Sequence, residues 1–73
     1  MDGSTSFAQD GLLALRRQLL RLAKIEEDLA AAERARVPYW MPYPTAVGAH
    51  QEAARLLRAE ADTLQAAALD RVA

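Results

Sequence analysis

The sequence predicts an all-α protein, an antiparallel hairpin of two helices that associates into a four-helix bundle. Leucines recur at three- and four-residue spacings through the first half, and small apolar residues alternate at the same spacings through the second. Such spacings place side chains along one side of an α-helix. All three prolines fall in a short segment between the two halves, and a short connection favours antiparallel helices.

The first helix is predicted over about residues 6–36, after a flexible N-terminus at 1–5. Ser6 is a suitable N-cap, because Gln9 stands three residues later, at the spacing of a capping box. Asp10 is the alternative start, since Gly11 after it is a poor interior helix residue. Pro38 ends the helix because it lacks an N–H group and disfavours helical geometry in the residue before it. The predicted core stripe of this helix is Leu12, Leu15, Leu19, Leu22, Ile25 and Leu29.

Residues 37–44 form the predicted link, and Thr45 can cap a second helix over about residues 45–71. Its predicted core stripe alternates small and large residues: Val47, His50, Ala54, Leu57, Ala61, Leu64 and Ala68. Small side chains let a partner helix approach closely. We therefore expect the two stripes to pack against each other within a single domain, residues 1–73.

Composition excludes several classes of protein. The chain has 73 residues, no Cys and a formal net charge of −1. No disulfide scaffold or Cys-ligated zinc site is possible. The single histidine, His50, has no evident catalytic partner and is expected to be half-buried beside the link. We predict a non-catalytic protein with no cofactor, no metal and no evident small-molecule substrate.

Self-association is predicted from the thinness of the core. Seventeen residues are alanine, which favours helix but buries little area, so a lone hairpin is expected to be marginal. Leu13 and Leu20 lie one heptad apart, nearly opposite Leu15 and Leu22. We predict that Leu13 and Leu20 contact a second copy, giving a homodimer, or another helical protein. The alternative is that they are ordinary surface leucines, or that Phe7 and the N-terminal residues fold over Leu13.

The link has an unusual composition. Three of the four aromatic residues lie within five positions, and no formal charge occurs from Val37 to Gln51. Tyr, Trp and Met are enriched in the cores of protein interfaces. The predicted partner-binding residues are Tyr39, Trp40, Met41 and Tyr43. Two alternatives stay open: these residues plug the end of the hairpin, or they enter the surface of a bilayer.

Two other functions compete with the interaction module. A small regulator could touch nucleic acid through a basic face on the first helix, although the net charge disfavours this. That face comprises Arg16, Arg17, Arg21 and Lys24. The chain could also be an accessory subunit of a larger enzyme complex. The polar start MDGSTS resembles no signal peptide, so we expect a cytoplasmic protein. No apolar run approaches the length of a membrane span, so we do not expect a membrane as the partner, and a bilayer surface stays only the alternative for the link.

Overall fold

The structure, a computed structural model, describes the backbone of residues 3–70 and the side chains of residues 7–70. Two helices, α1 (Gly3–Ala35) and α2 (Thr45–Asp70), pack lengthwise against each other. The Cα atoms span 61 × 14 × 12 Å, the shape of two parallel rods side by side. The predicted all-α, two-helix hairpin is confirmed for this part of the chain.

The start of α1 differs from the predicted one. The helix begins at Gly3, so neither Ser6 nor Asp10 caps it. It continues through Gly11, because an interior glycine costs only about 1 kcal/mol and contacts with α2 offset that cost. The side-chain amide of Gln9 donates a hydrogen bond of 3.4 Å to the carbonyl of Ala68, which ties this end of α1 to α2. Residues 1–2 of the predicted flexible N-terminus lie outside the described residues.

The link begins where α1 tightens. The N–H groups of Arg36 and Val37 donate to the carbonyls three residues before them, both at 3.2 Å, as in the final turn of many helices. Pro38 then prevents continuation. α2 begins at Thr45, and its described part ends at Asp70, so the predicted last residue, Arg71, is not described.

The helices meet along a line of small side chains, here called the contact line. The buried residues recur at seven-residue intervals on both helices, and none has a side chain larger than valine. They are Ala23 and Ala30 of α1 and Val47, Ala54, Ala61 and Ala68 of α2. The bond from Gln9 to Ala68 sets an antiparallel register. The same register, followed along both helices, places Ala23 beside Ala54.

The predicted stripe of α2 is confirmed, whereas the predicted stripe of α1 is wrong for four of its six residues; of that stripe, Leu12 and Leu19 are half-buried. In α2 the buried residues alternate with half-buried His50, Leu57 and Leu64. In α1 the leucines do not form the contact line: Leu15 and Leu22 are 50% and 48% exposed. Ile25 and Leu29 are also exposed. α1 instead presents Ala23 and Ala30 to α2, so the side of α1 that faces α2 is rotated away from the predicted leucine stripe.

Side-chain size explains this rotation. Leucines on the contact line would hold the helix axes apart, because interaxial distance follows the size of the side chains at the contact. With alanine facing alanine the backbones come close, and larger side chains then pack beside the line. The leucines of α1 therefore flank the contact rather than fill it. In the part of the chain that the structure describes, neither helix has a stretch apolar enough to cross a membrane.

Candidate functional site

The link presents its aromatic residues on a tight turn. The N–H of Met41 donates a 3.0 Å hydrogen bond to the carbonyl of Pro38, which places Tyr39 and Trp40 at the two central positions of a β-turn. The N–H of Val47 donates to the carbonyl of Pro44, also at 3.0 Å, where α2 starts. The aromatic turn is thus anchored at the end of the rod by two fixed helix ends.

Four large side chains of this turn are exposed together. Tyr39 is 96% exposed and Trp40 72%, and their rings meet edge to face with centroids 5.2 Å apart. Met41 and Tyr43 are also exposed, at 52% and 60%. We call these four residues the aromatic tip. Exposure of this extent excludes the alternative in which Trp40 and a tyrosine plug the end of the hairpin.

A second apolar surface lies on one side of the contact line. Nδ1 of His50 lies 2.6 Å from Oε1 of Glu26. Each of these two residues stands three positions after a contact-line residue of its own helix. The residues at that position therefore lie on the same side of the contact line in both helices. That row contains Leu12 and Leu19 of α1 and Leu57 and Leu64 of α2, all half-buried. Leu15 and Leu22 lie beside it, further from α2, and are half exposed. We call these six leucines the leucine face.

The other side of the contact line is polar. The guanidinium of Arg58 donates two hydrogen bonds of 2.8 Å to the carboxylate of Glu27, joining α2 to α1. These bonds lower the pKa of Glu27 and raise that of Arg58. We call this side the polar flank. Ion pairs this exposed contribute little to stability and are screened by salt.

The predicted association residues, Leu13 and Leu20, lie on the polar flank, in the same row as Glu27. Both are half-buried beside the contact line. The structure therefore separates them from the leucine face. The spacing of these six leucines predicts that they lie in the core, so the sequence does not reveal them as a surface. The heptad spacing of Ala23 and Ala30, matching the alanines of α2, was the signal that could have revealed it.

His50 has a partner that the sequence did not indicate. It is half-buried, as expected, and its Nδ1 lies beside the carboxylate of Glu26 on α1. This pair stands in the same row as the half-buried leucines of the leucine face and interrupts that row with polar groups. Among the described residues no pocket is found, and no group of three or more potential metal ligands is found either.

The basic residues of α1 do not form one free surface. Arg16 stands seven residues before Ala23, so it continues the row of Ala23 and Ala30 towards the start of α1, and its Nε is buried without a hydrogen-bond partner among the described residues. Lys24 pairs with Asp28 at 2.8 Å, which raises the pKa of Lys24, and Arg21 donates to Gln18 at 3.2 Å. Acidic and amide neighbours thus occupy part of the predicted basic face.

The chain matches no protein-family model, no curated protein and no solved structure.

Proposed function

We propose that this protein is a non-catalytic interaction or assembly module that contacts a protein partner through the aromatic tip. The observation that carries the proposal is the exposure of Tyr39, Trp40, Met41 and Tyr43 at the end of the elongated hairpin. Large amphipathic side chains of these types supply much of the energy at interface centres. Prolines on both sides restrict the turn, which lowers the entropy lost when a partner binds.

The proposal includes association of hairpins into a four-helix bundle. The contact line consists of alanine and one valine, so the helices bury few large side chains against each other. Burial of an alanine contributes far less than the roughly 1.5–3 kcal/mol of a buried leucine or phenylalanine. A second hairpin would bury the leucines that the first leaves exposed.

The tip is tested by site-specific photo-crosslinking in cells that make the protein. A benzophenone amino acid at Trp40 is expected to form a covalent adduct with one protein partner. The matched control carries it at Arg55, which is exposed in the middle of α2 and distant from the tip. Adducts that are the same from both positions, or adducts with lipid alone, would contradict the proposal.

Trp40 also reports on the tip directly, because it is the only tryptophan. In the purified protein we expect red-shifted emission that acrylamide quenches readily, as for an indole in water. Vesicles of phosphatidylcholine and phosphatidylglycerol should leave the emission unchanged. A blue shift caused by vesicles would favour the bilayer alternative, and protected emission without vesicles would show that the assembly itself covers the tip.

No observation favours the nucleic-acid regulator over the interaction module. The basic residues are partly occupied by Asp28 and Gln18, and the net charge is −1. Binding of a labelled DNA duplex that weakens steeply with salt would revive that function.

A further inference from the structure

We infer that the leucine face is the surface on which a second copy of this chain packs. This inference rests on the proposed association and names its surface, which differs from the predicted Leu13 and Leu20. The leucine face comprises Leu12, Leu15, Leu19, Leu22, Leu57 and Leu64.

The exposed area of the chain supports a partner of its own size. A compact monomer of 8.0 kDa exposes roughly 4,450 Å², whereas this chain exposes 5267 Å². The excess of about 800 Å² equals the area that each partner buries in an interface of standard size. The radius of gyration, 17.0 Å, compared with about 11 Å for a compact chain of this length, shows the same lack of a second layer.

The distribution of apolar residues selects the side on which that layer packs. On the leucine face both helices contribute leucines, and the next row outward on α2 holds the half-buried Ala53 and Ala67 with the exposed Glu60 between them. On the polar flank α2 contributes the charged Arg58, already bonded to Glu27. Contiguous exposed apolar surfaces are rare on monomers and mark interaction sites.

A second copy is the occupant that needs no further assumption. Two hairpins stacked through their leucine faces form the four-helix arrangement in which each helix has an apolar side turned inwards. A two-fold axis makes the contact self-complementary, so leucines meet leucines and Ala53 offers space for them. The two aromatic tips lie at the ends of such a rod and stay outside the interface.

The test compares leucines on the two sides. We expect the wild-type chain to sediment as two chains at micromolar concentration. Leu15→Gln with Leu22→Gln should raise the dimer dissociation constant at least about tenfold and leave helical circular dichroism in place. Leu69→Gln is the matched control, because Leu69 is 60% exposed and lies away from the leucine face.

The outcomes separate the surface from the association. A helical wild-type monomer would overturn association and this surface together, without touching the aromatic tip. A dimer that survives L15Q/L22Q, or one that only Leu13→Gln with Leu20→Gln dissociates, would overturn the surface alone. Binding of wild-type monomers to vesicles of phosphatidylcholine and phosphatidylglycerol through the leucine face would also overturn it.

A second measurement covers the possibility that L15Q/L22Q unfolds. A nitroxide on Glu60→Cys lies at the edge of the leucine face, and one on Asp62→Cys lies on the polar flank; both residues are exposed. Each labelled chain is mixed with a nitrogen-15-labelled wild-type chain. The label at residue 60 should broaden the amide signals of Leu15 and Leu22 in the other chain more than the label at 62 does, and equal broadening would contradict the inference.

Discussion

The two sides of the helix contact line differ in what α2 contributes, although α1 places leucines on both. On one side Leu19 continues into Leu57 across the contact line; on the other, Leu20 has the charged Arg58 on the neighbouring helix. One side is therefore an apolar surface shared by two helices, and the other is a row of leucines bordered by an ion pair. A stripe on one helix becomes a surface for a partner only where the adjacent helix extends it.

Large side chains placed on the contact line that separates the two sides should destabilise the hairpin. Ala54→Leu places a large side chain where the backbones are close, and overpacking of this kind costs about 1–3 kcal/mol. The free energy of unfolding in urea, followed by circular dichroism, measures the loss. Ala59→Leu, at an exposed position of the same helix, should change stability by less than about 0.5 kcal/mol. Equal effects of the two substitutions would contradict close alanine packing.

Adjacent leucines provide a direct comparison of the two sides. Leu19 and Leu20 are both half-buried in the hairpin, but a second copy on the leucine face would bury Leu19 completely. Leu19→Ala is then expected to cost about 2–5 kcal/mol. Leu20→Ala should cost only about 1–2 kcal/mol, because part of that side chain stays in water. Thermal unfolding at several protein concentrations measures both, and equal losses would show that the two sides are equivalent.

The sequence predicted the elements well because their signals are local. Prolines, leucine spacing and the alternating stripe of α2 identify two helices and a link, and each depends on neighbouring residues alone. The side of α1 that faces α2 could not be predicted in the same way. It depends on how closely the axes approach, and this is decided by Ala23 and Ala30 together with alanines more than twenty residues away.

The candidate surfaces show the same limit. The aromatic tip is visible in the sequence because its four residues lie within five consecutive positions, whereas their exposure depends on the turn that Pro38 and Met41 close. The leucine face combines residues from both helices and appears only once the register is known. For the same reason the pairing of Glu26 with His50 was not predicted.

The Glu26–His50 pair offers the next comparison, because it lies on the leucine face whereas Glu27–Arg58 lies on the polar flank. Replacing one member leaves the other facing an apolar interface, so His50→Leu alone should weaken association by about 1–3 kcal/mol. Replacing both by leucine should leave association equal or stronger, since well-packed apolar residues commonly match a buried pair. Sedimentation equilibrium measures each dimer.

The matched control for that comparison is the double substitution of Glu27 and Arg58 by leucine. This pair stays in water on the polar flank, so its loss should not strengthen association through the leucine face. Two results would contradict burial of the Glu26–His50 pair. One is a stronger dimer from the control. The other is a double leucine variant of Glu26 and His50 that dimerises as weakly as His50→Leu.

The smallest expected effect is the pH dependence of the polar flank. Arg58 lowers the pKa of Glu27 below its ordinary value of 4.5 in the folded chain, so this pair stabilises the hairpin above that pH. The contribution is lost as pH falls through the lowered pKa of Glu27, and Arg58→Gln should therefore reduce the slope of unfolding free energy against pH in that acidic range. An unchanged slope would contradict the contribution of the pair.

Salts should separate the two sides, because sodium chloride screens the exposed ion pair, whereas sodium sulfate strengthens apolar burial and hence association through the leucine face.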